Sequence, residues 1–362
     1  MPGSSDASRL SFIDWTRGFG AAIMLQGHAY HSFTHPSLRE SATWVYSQFL
    51  GGMPPAIFLF LTGTTLAFLM DSQERRGASA GRRVLEALKR ARYLFLIAIL
   101  FRLQMWLFGL PKPWEDLLKV DVLNCMGVGV ALLSVMAVFP TKERARLSAV
   151  LGLLIAGASP LVTQLDWSGV SVHVARYFVP DPNFFGIFPW VAFLAFGLSF
   201  GSVVRLVPGE HYPRMMQWMA ITGFALIYAS RYLAELPFSL YPKSEFWVDS
   251  PLLVLIKVGI TLLMLSFAFL WTNYATGPGW SWVRELGTHS LLVYWVHVEL
   301  VYGRWFWYWK ESLTIPQSTL AAVGVVLVMV AMAWVAGHYQ RWPFVQRWQS
   351  RRGGLAIGQG SR

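Results

Sequence analysis

Three histidines at the end of one apolar stretch are the residues best suited to acid–base chemistry. Along SFIDWTRGFGAAIMLQGHAYHSFTH, residues 11–35, Asp14, Ala21, His28 and His35 recur every seven positions, and Arg17, Met24 and His31 repeat the interval. A seven-residue step returns to nearly the same helix face, drifting by about 20° per heptad, so these side chains share one stripe. A neutral imidazole can take a proton from a hydroxyl or amine as that group attacks an acyl carbon, because its pKa lies near working pH. Arginine suits phosphates through bidentate hydrogen bonds, which makes Arg17, with Arg90 and Arg92 at the end of the basic run 75–92, candidates for holding a phosphate-bearing donor. On a helix, His28 stands about 16 Å beyond Arg17 at 1.5 Å per residue. The spacing therefore separates a donor end from a proton-accepting end.

Other polar residues interrupt apolar runs. Arg102 and Lys257 each lie inside one, where a charge costs roughly 3 kcal/mol on insertion scales, so pairing or function is expected, with Asp121 the nearest partner. Asp121 and Asn124 open a further run, and Ser290, Tyr294, His297 and Arg304 fall on one helical face. These side chains are candidates for the acceptor side, and His297 could instead orient His28. Plainer readings stand beside these. Asp14 and Arg17 at i, i+3 also form an ordinary helix ion pair. The histidines at 28, 31 and 35 resemble a metal-ligand spacing, but no acidic or cysteine ligand lies near them in sequence, and no metal is expected.

The elements that must carry these groups are membrane helices. Of 362 residues, 55% are hydrophobic and 14% charged, against about 25% charged in soluble domains. Crossing the bilayer core takes about 20 apolar residues, and about ten such segments stand out: 17–33, 52–70, 93–110, 120–139, 147–165, 184–205, 215–233, 251–271, 285–304 and 319–338. The fold expected is an all-α polytopic bundle forming one domain over 1–362, with a disordered tail at 353–362. The net charge of +11 is concentrated in the short connections, mostly of one side, which is membrane topology rather than a nucleic-acid surface and places both termini in the cytoplasm. Cys125 is the one cysteine, so no intrachain disulfide forms. No cleaved leader is expected.

Four strings together carry a resemblance: IDWTRG with His28 two heptads after Asp14, IFLFLTGTTLAF, DVLNCMGVGVALL and LGTHSLLVYWVHVELVYG. They resemble the transmembrane acyltransferase superfamily, within it bacterial relatives of the heparan-alpha-glucosaminide N-acetyltransferase catalytic domain, and more distantly the acyltransferase-three family. The resemblance implies a ten- or eleven-helix enzyme of the cell (inner) membrane. Such an enzyme takes an acyl group, usually acetyl, from cytoplasmic acyl-CoA to a hydroxyl or amine of a glycan or lipid-linked sugar. In the acyltransferase-three branch, the motif matched by Asp14, Arg17 and His28 has its histidine as the base. In the glucosaminide branch an asparagine stands where His28 does, and the working histidine follows the first span, which brings in His35 and His31. The site expected is thus His28, His35 and Asp14 for catalysis, Arg17, Arg90 and Arg92 for the donor, and His31, Arg102, Asp121, Asn124 and His297 for the acceptor. Membrane lipid and the acceptor are the partners expected, with homodimerisation left open and nucleic acid excluded. The alternative is a polytopic transporter that uses the intramembrane charges as its path.

Overall fold

The computed structural model describes residues 4–109, 111–276 and 279–339, with side chains from residue 11 onward. The tail at 353–362 lies outside the described residues. In chain order the helices are α1 (Ser4–Phe33), α2 (Ala42–Gly51), α3 (Pro54–Arg75), α4 (Ala80–Phe108), α5 (Val122–Leu133), α6 (Thr141–Thr163) and α7 (Val172–Ala175). They continue as α8 (Val191–Leu206), α9 (Tyr212–Ala234), α10 (Pro251–Leu270), α11 (Trp282–Thr288), α12 (Ser290–Tyr302) and α13 (Ile315–His338). The described residues are otherwise short helical turns and connections, with isolated bridges at Thr34–Leu313 and Asp181–Phe184.

Every expected apolar segment coincides with helix in whole or in part, but among the described residues five helical stretches are long and apolar enough to cross a membrane, or six if the bent pair α8 and α9 is one span: Ala42–Arg75, Ala80–Phe108, Thr141–Thr163, Pro251–Ala275 and Ile315–His338 are the five. The others fall short for visible reasons. Gln26, His28 and His31 make the end of α1 too polar, α8 and α9 are long and apolar enough only together and are bent by 119°, and the 285–304 segment breaks at His289, whose φ of -107° and ψ of 21° leave the helical region. The chain is a membrane protein.

Packing divides the chain into two compact units, Met1–Thr16 with Gly52–Gly277, and Arg17–Gly51 with Pro278–Arg362. In the first unit α3 packs along α8, α6 also packs on α8, α9 packs on α10 and α4 packs on α5. Ile57, Leu59, Phe60 and Leu66 of α3 and Leu194 and Leu198 of α8 are at most 1% exposed. Beyond this apolar layer the ends of α3, α6 and α8 are joined by charge. Asp71 accepts from Arg75 Nε at 2.9 Å and Arg205 Nε at 2.7 Å, while Glu74 pairs with Arg83 at 3.3 Å and Arg144 at 3.4 Å. Arg144 is fully buried and also donates to Thr141 Oγ1 at 2.6 Å and the Phe139 carbonyl at 3.2 Å.

In the second unit α11, α12 and α13 pack on one another. The end of α1 is tied to α13 by Tyr30 Oη against Thr319 Oγ1 at 2.6 Å and by Thr34 Oγ1 donating to Ser318 Oγ at 2.9 Å. The helix stops at Phe33 because the chain there pairs with 311–313: Leu313 N donates to the Phe33 carbonyl at 2.9 Å and His35 N to the Leu313 carbonyl at 2.9 Å. With a φ of -56° and ψ of 137°, His35 has left the helix and caps the 3₁₀ turn Pro36–Leu38. The stripe expected to continue from His28 to His35 therefore ends at His31. Arg304 likewise lies past the end of α12 and off the face that holds His297.

Candidate active site

The stretch of α1 that carries the histidines is held first by α2. Gln26 Nε2 donates to Ser47 Oγ at 2.5 Å, and Gln48 Nε2 donates to the Gly27 carbonyl at 3.1 Å. A Cβ on Gly27 would stand 2.8 Å from the Gly51 Cα, so only glycine lets the two backbones meet here. On another side of α1, Ser32 Oγ donates to the Val301 carbonyl at 2.7 Å, which registers α1 against α12. That register brings His28 Nδ1 to 2.9 Å from His297 Nε2, with the rings inclined by 23° and their centroids 5.1 Å apart. His297 is fully buried, and its Nδ1 lies 2.8 Å from the Val293 carbonyl one turn earlier.

Tyr302, at the end of α12, joins the group. Its ring meets His28 edge-on at 5.3 Å, and its hydroxyl lies 3.2 Å from His31 Nδ1. The loop that follows is pinned by Lys310, whose Nζ donates to the carbonyls of Tyr302 at 2.7 Å and Gly303 at 2.6 Å, and by an Arg39–Glu311 ion pair at 2.8 Å. His28, His31, His297 and Tyr302 thus form one imidazole and phenol cluster. His28 is half-buried within it and His31 is exposed. His35 is exposed too, and its Nδ1 accepts from the backbone N–H of Ser37 at 3.3 Å and lies 2.8 Å from the Ser37 hydroxyl. The lone pair that a base would use is turned onto its own turn.

The remaining expected residues, apart from Arg17, belong to the first unit. In the first unit Asp121 pairs with Arg102 at 3.0 Å, as the sequence suggests, while its Oδ1 accepts from the N–H groups of Leu123 and Asn124, both at 3.0 Å. Asn124 Nδ2 donates to the Lys119 carbonyl at 3.1 Å. These three side chains close the start of α5, so Asp121→Asn, which keeps one acceptor but loses the ion pair, lowers stability by about 1–2 kcal/mol. Thermal unfolding in detergent measures this. Lys257 meets a carbonyl and a ring rather than a carboxylate, donating to Gly52 O at 3.1 Å over the Trp190 ring at 5.2 Å. Arg90 and Arg92 are exposed on α4, off its buried line of Ala87, Ala91, Leu94, Ala98 and Phe101. Asp14 and Arg17 are half-buried on α1, in the first and second units respectively. Among the described residues no three His, Cys, Asp or Glu side chains gather into a metal site.

Tyr302 is the residue of the cluster that sequence reasoning missed. The signal available was a phenol just past the stripe of Ser290, Tyr294 and His297, in a segment whose helix ends on Tyr302 itself.

A family model described as heparan-alpha-glucosaminide N-acetyltransferase, catalytic, matches residues 9–236. The match takes in α1 from residue 9 onward and the three histidines His28, His31 and His35, as well as Arg90, Arg92, Arg102, Asp121 and Asn124, and it ends before Lys257 and His297. No curated protein matches the chain.

Proposed function

The chain belongs to the heparan-alpha-glucosaminide N-acetyltransferase catalytic family, a family of membrane acetyltransferases, and from that premise we propose that it transfers acetyl from cytoplasmic acetyl-CoA to a hydroxyl or amine of a glycan or lipid-linked sugar at or across the cell membrane. The observation that carries this reading is the placement of His28, inside the matched segment and in hydrogen-bond contact with His297. His28 is the base. It takes the acceptor's proton as the oxygen or nitrogen bonds to the thioester carbonyl carbon, after which the carbon–sulfur bond breaks and the thiolate leaves with its electron pair. Arg90 and Arg92 are the cations for the donor phosphates, and their exposure suits a donor met from water. His31 and Tyr302 offer polar atoms to an acceptor beside His28. Both termini lie on the donor's side in this reading.

The test is direct. Purified protein in detergent or nanodiscs, given acetyl-labelled acetyl-CoA and an amino sugar or a hydroxyl-bearing glycan, releases CoA thiol and labels the sugar. Intact thioester with every acceptor class, together with solute uptake into liposomes, overturns this reading in favour of a transporter.

A further inference from the structure

We propose that His297 is the positioning residue for His28: it fixes His28 in the tautomer whose Nε2 is bare, and it receives the His28 Nδ1 proton when that Nε2 takes up another. The catalytic part of this rests on the acetyl-transfer reading, whereas the tautomer does not.

The assignment follows from one carbonyl. Val293 O can only accept, so His297 Nδ1, 2.8 Å away, carries a hydrogen. In a neutral imidazole the other nitrogen is then bare, so His297 Nε2 accepts. The hydrogen in the 2.9 Å contact must therefore sit on His28 Nδ1, which leaves His28 Nε2 as the free lone pair. Rings inclined by 23° with centroids 5.1 Å apart and nitrogens 2.9 Å apart lie side by side rather than face to face, as an N–H···N bond requires. His297 has little room to turn and reverse this order, because it is fully buried, is held by its own helix and meets the Tyr294 ring at 5.8 Å. The titratable groups facing the pair are His31 and Tyr302 beside His28, and Tyr294 beside His297.

Two imidazolium rings in direct contact repel, so the pair holds at most one extra proton. When His28 Nε2 takes the acceptor's proton, the His28 Nδ1 proton crosses to His297 Nε2. Positive charge then rests on His297, with its Nδ1–H still on the Val293 carbonyl. The return step restores the Nδ1 proton to His28 and sends the Nε2 proton to the departing thiolate, so protons and charge balance over one turnover.

The experiment combines a structural readout with a kinetic one. In nitrogen-15 NMR of histidine-labelled protein in nanodiscs, His28 is expected to show a bare Nε2 and a protonated Nδ1, and His297 a protonated Nδ1. His297→Phe keeps a ring but removes both nitrogens, and it is expected to give mixed His28 tautomers and a kcat lower by about 10–100-fold with an unchanged KM for acetyl-CoA. His297→Gln, whose side-chain carbonyl accepts from Nδ1–H, is expected to recover the single tautomer and part of the rate, with the acidic side of the pH–rate profile, where the base loses its proton, displaced from that of the parent protein. A proton on His28 Nε2 in the parent protein overturns the proposal, as does a tautomer unchanged in His297→Phe. Should His297→Phe fail to fold, the parent spectrum and the Gln variant still decide. The expected tautomer in a protein that cleaves no thioester would reject acetyl transfer and leave the positioning intact.

Discussion

His28→Ala lowers kcat for acetyl transfer by about 10²–10⁴-fold, the range a positioned general base supplies, while the melting temperature in detergent stays close to that of the parent. The stability side follows from the contacts. His28 is half-buried and its side chain is hydrogen-bonded to His297, whereas α1 is held by the separate Gln26–Ser47, Ser32–Val301 and Tyr30–Thr319 bonds. His35→Ala is the informative comparison, because the heptad stripe and the family resemblance both make His35 a rival base. The His35 Nδ1 lone pair is already occupied by the Ser37 N–H, so the neutral ring offers a donor rather than an acceptor to anything outside its turn. Its loss therefore lowers kcat by at most about tenfold, the scale of one hydrogen bond. Steady-state rates for the two variants settle the order, and a His35→Ala protein as impaired as His28→Ala moves the base into the loop.

The stripe that points to His28 was legible in the sequence because α1 is a regular helix through Phe33, where a heptad period places side chains faithfully. It misled at His35 because a period cannot announce where a helix ends. The stop comes from pairing with Leu313, far along the chain. The same distance hid the partner of His28. His297 appeared as one polar residue on a second helix, and its contact depends on the α1–α12 register set by Ser32 and Val301. The Arg102–Asp121 pair was legible, since both are charged and both interrupt apolar runs. Arg144 was not. Among neighbours such as Lys142 and Arg146 it reads as one more orienting cation, and only the folding of Glu74 and Asp71 onto the start of α6 takes it inside.

The first unit depends on how closely α3 and α8 approach, and Gly197→Leu is expected to destabilise it by more than about 4 kcal/mol, beyond the usual range for one substitution. A Cβ on Gly197 would lie 1.8 Å from the Phe60 carbonyl oxygen, and one on Gly63 would lie 2.0 Å from that of Leu194. The obstacle in both cases is backbone, which cannot rotate aside as a side chain would, so the two helices must separate along their length. Separation breaks the Thr64 Oγ1 bond to the Gly197 carbonyl at 3.2 Å and opens the layer of Leu59, Phe60, Leu66, Leu194 and Leu198. In a bilayer that layer is held by close contact rather than by exclusion of water, so a gap forfeits the attraction outright. Gly324→Leu on α13 separates this effect from the general consequence of placing leucine in a membrane helix, because nothing lies within 4 Å of the Cβ it would add. Melting in the same detergent is expected to fall steeply for Gly197→Leu and to hold for Gly324→Leu. Equal melting temperatures would mean that α3 and α8 are not in backbone contact.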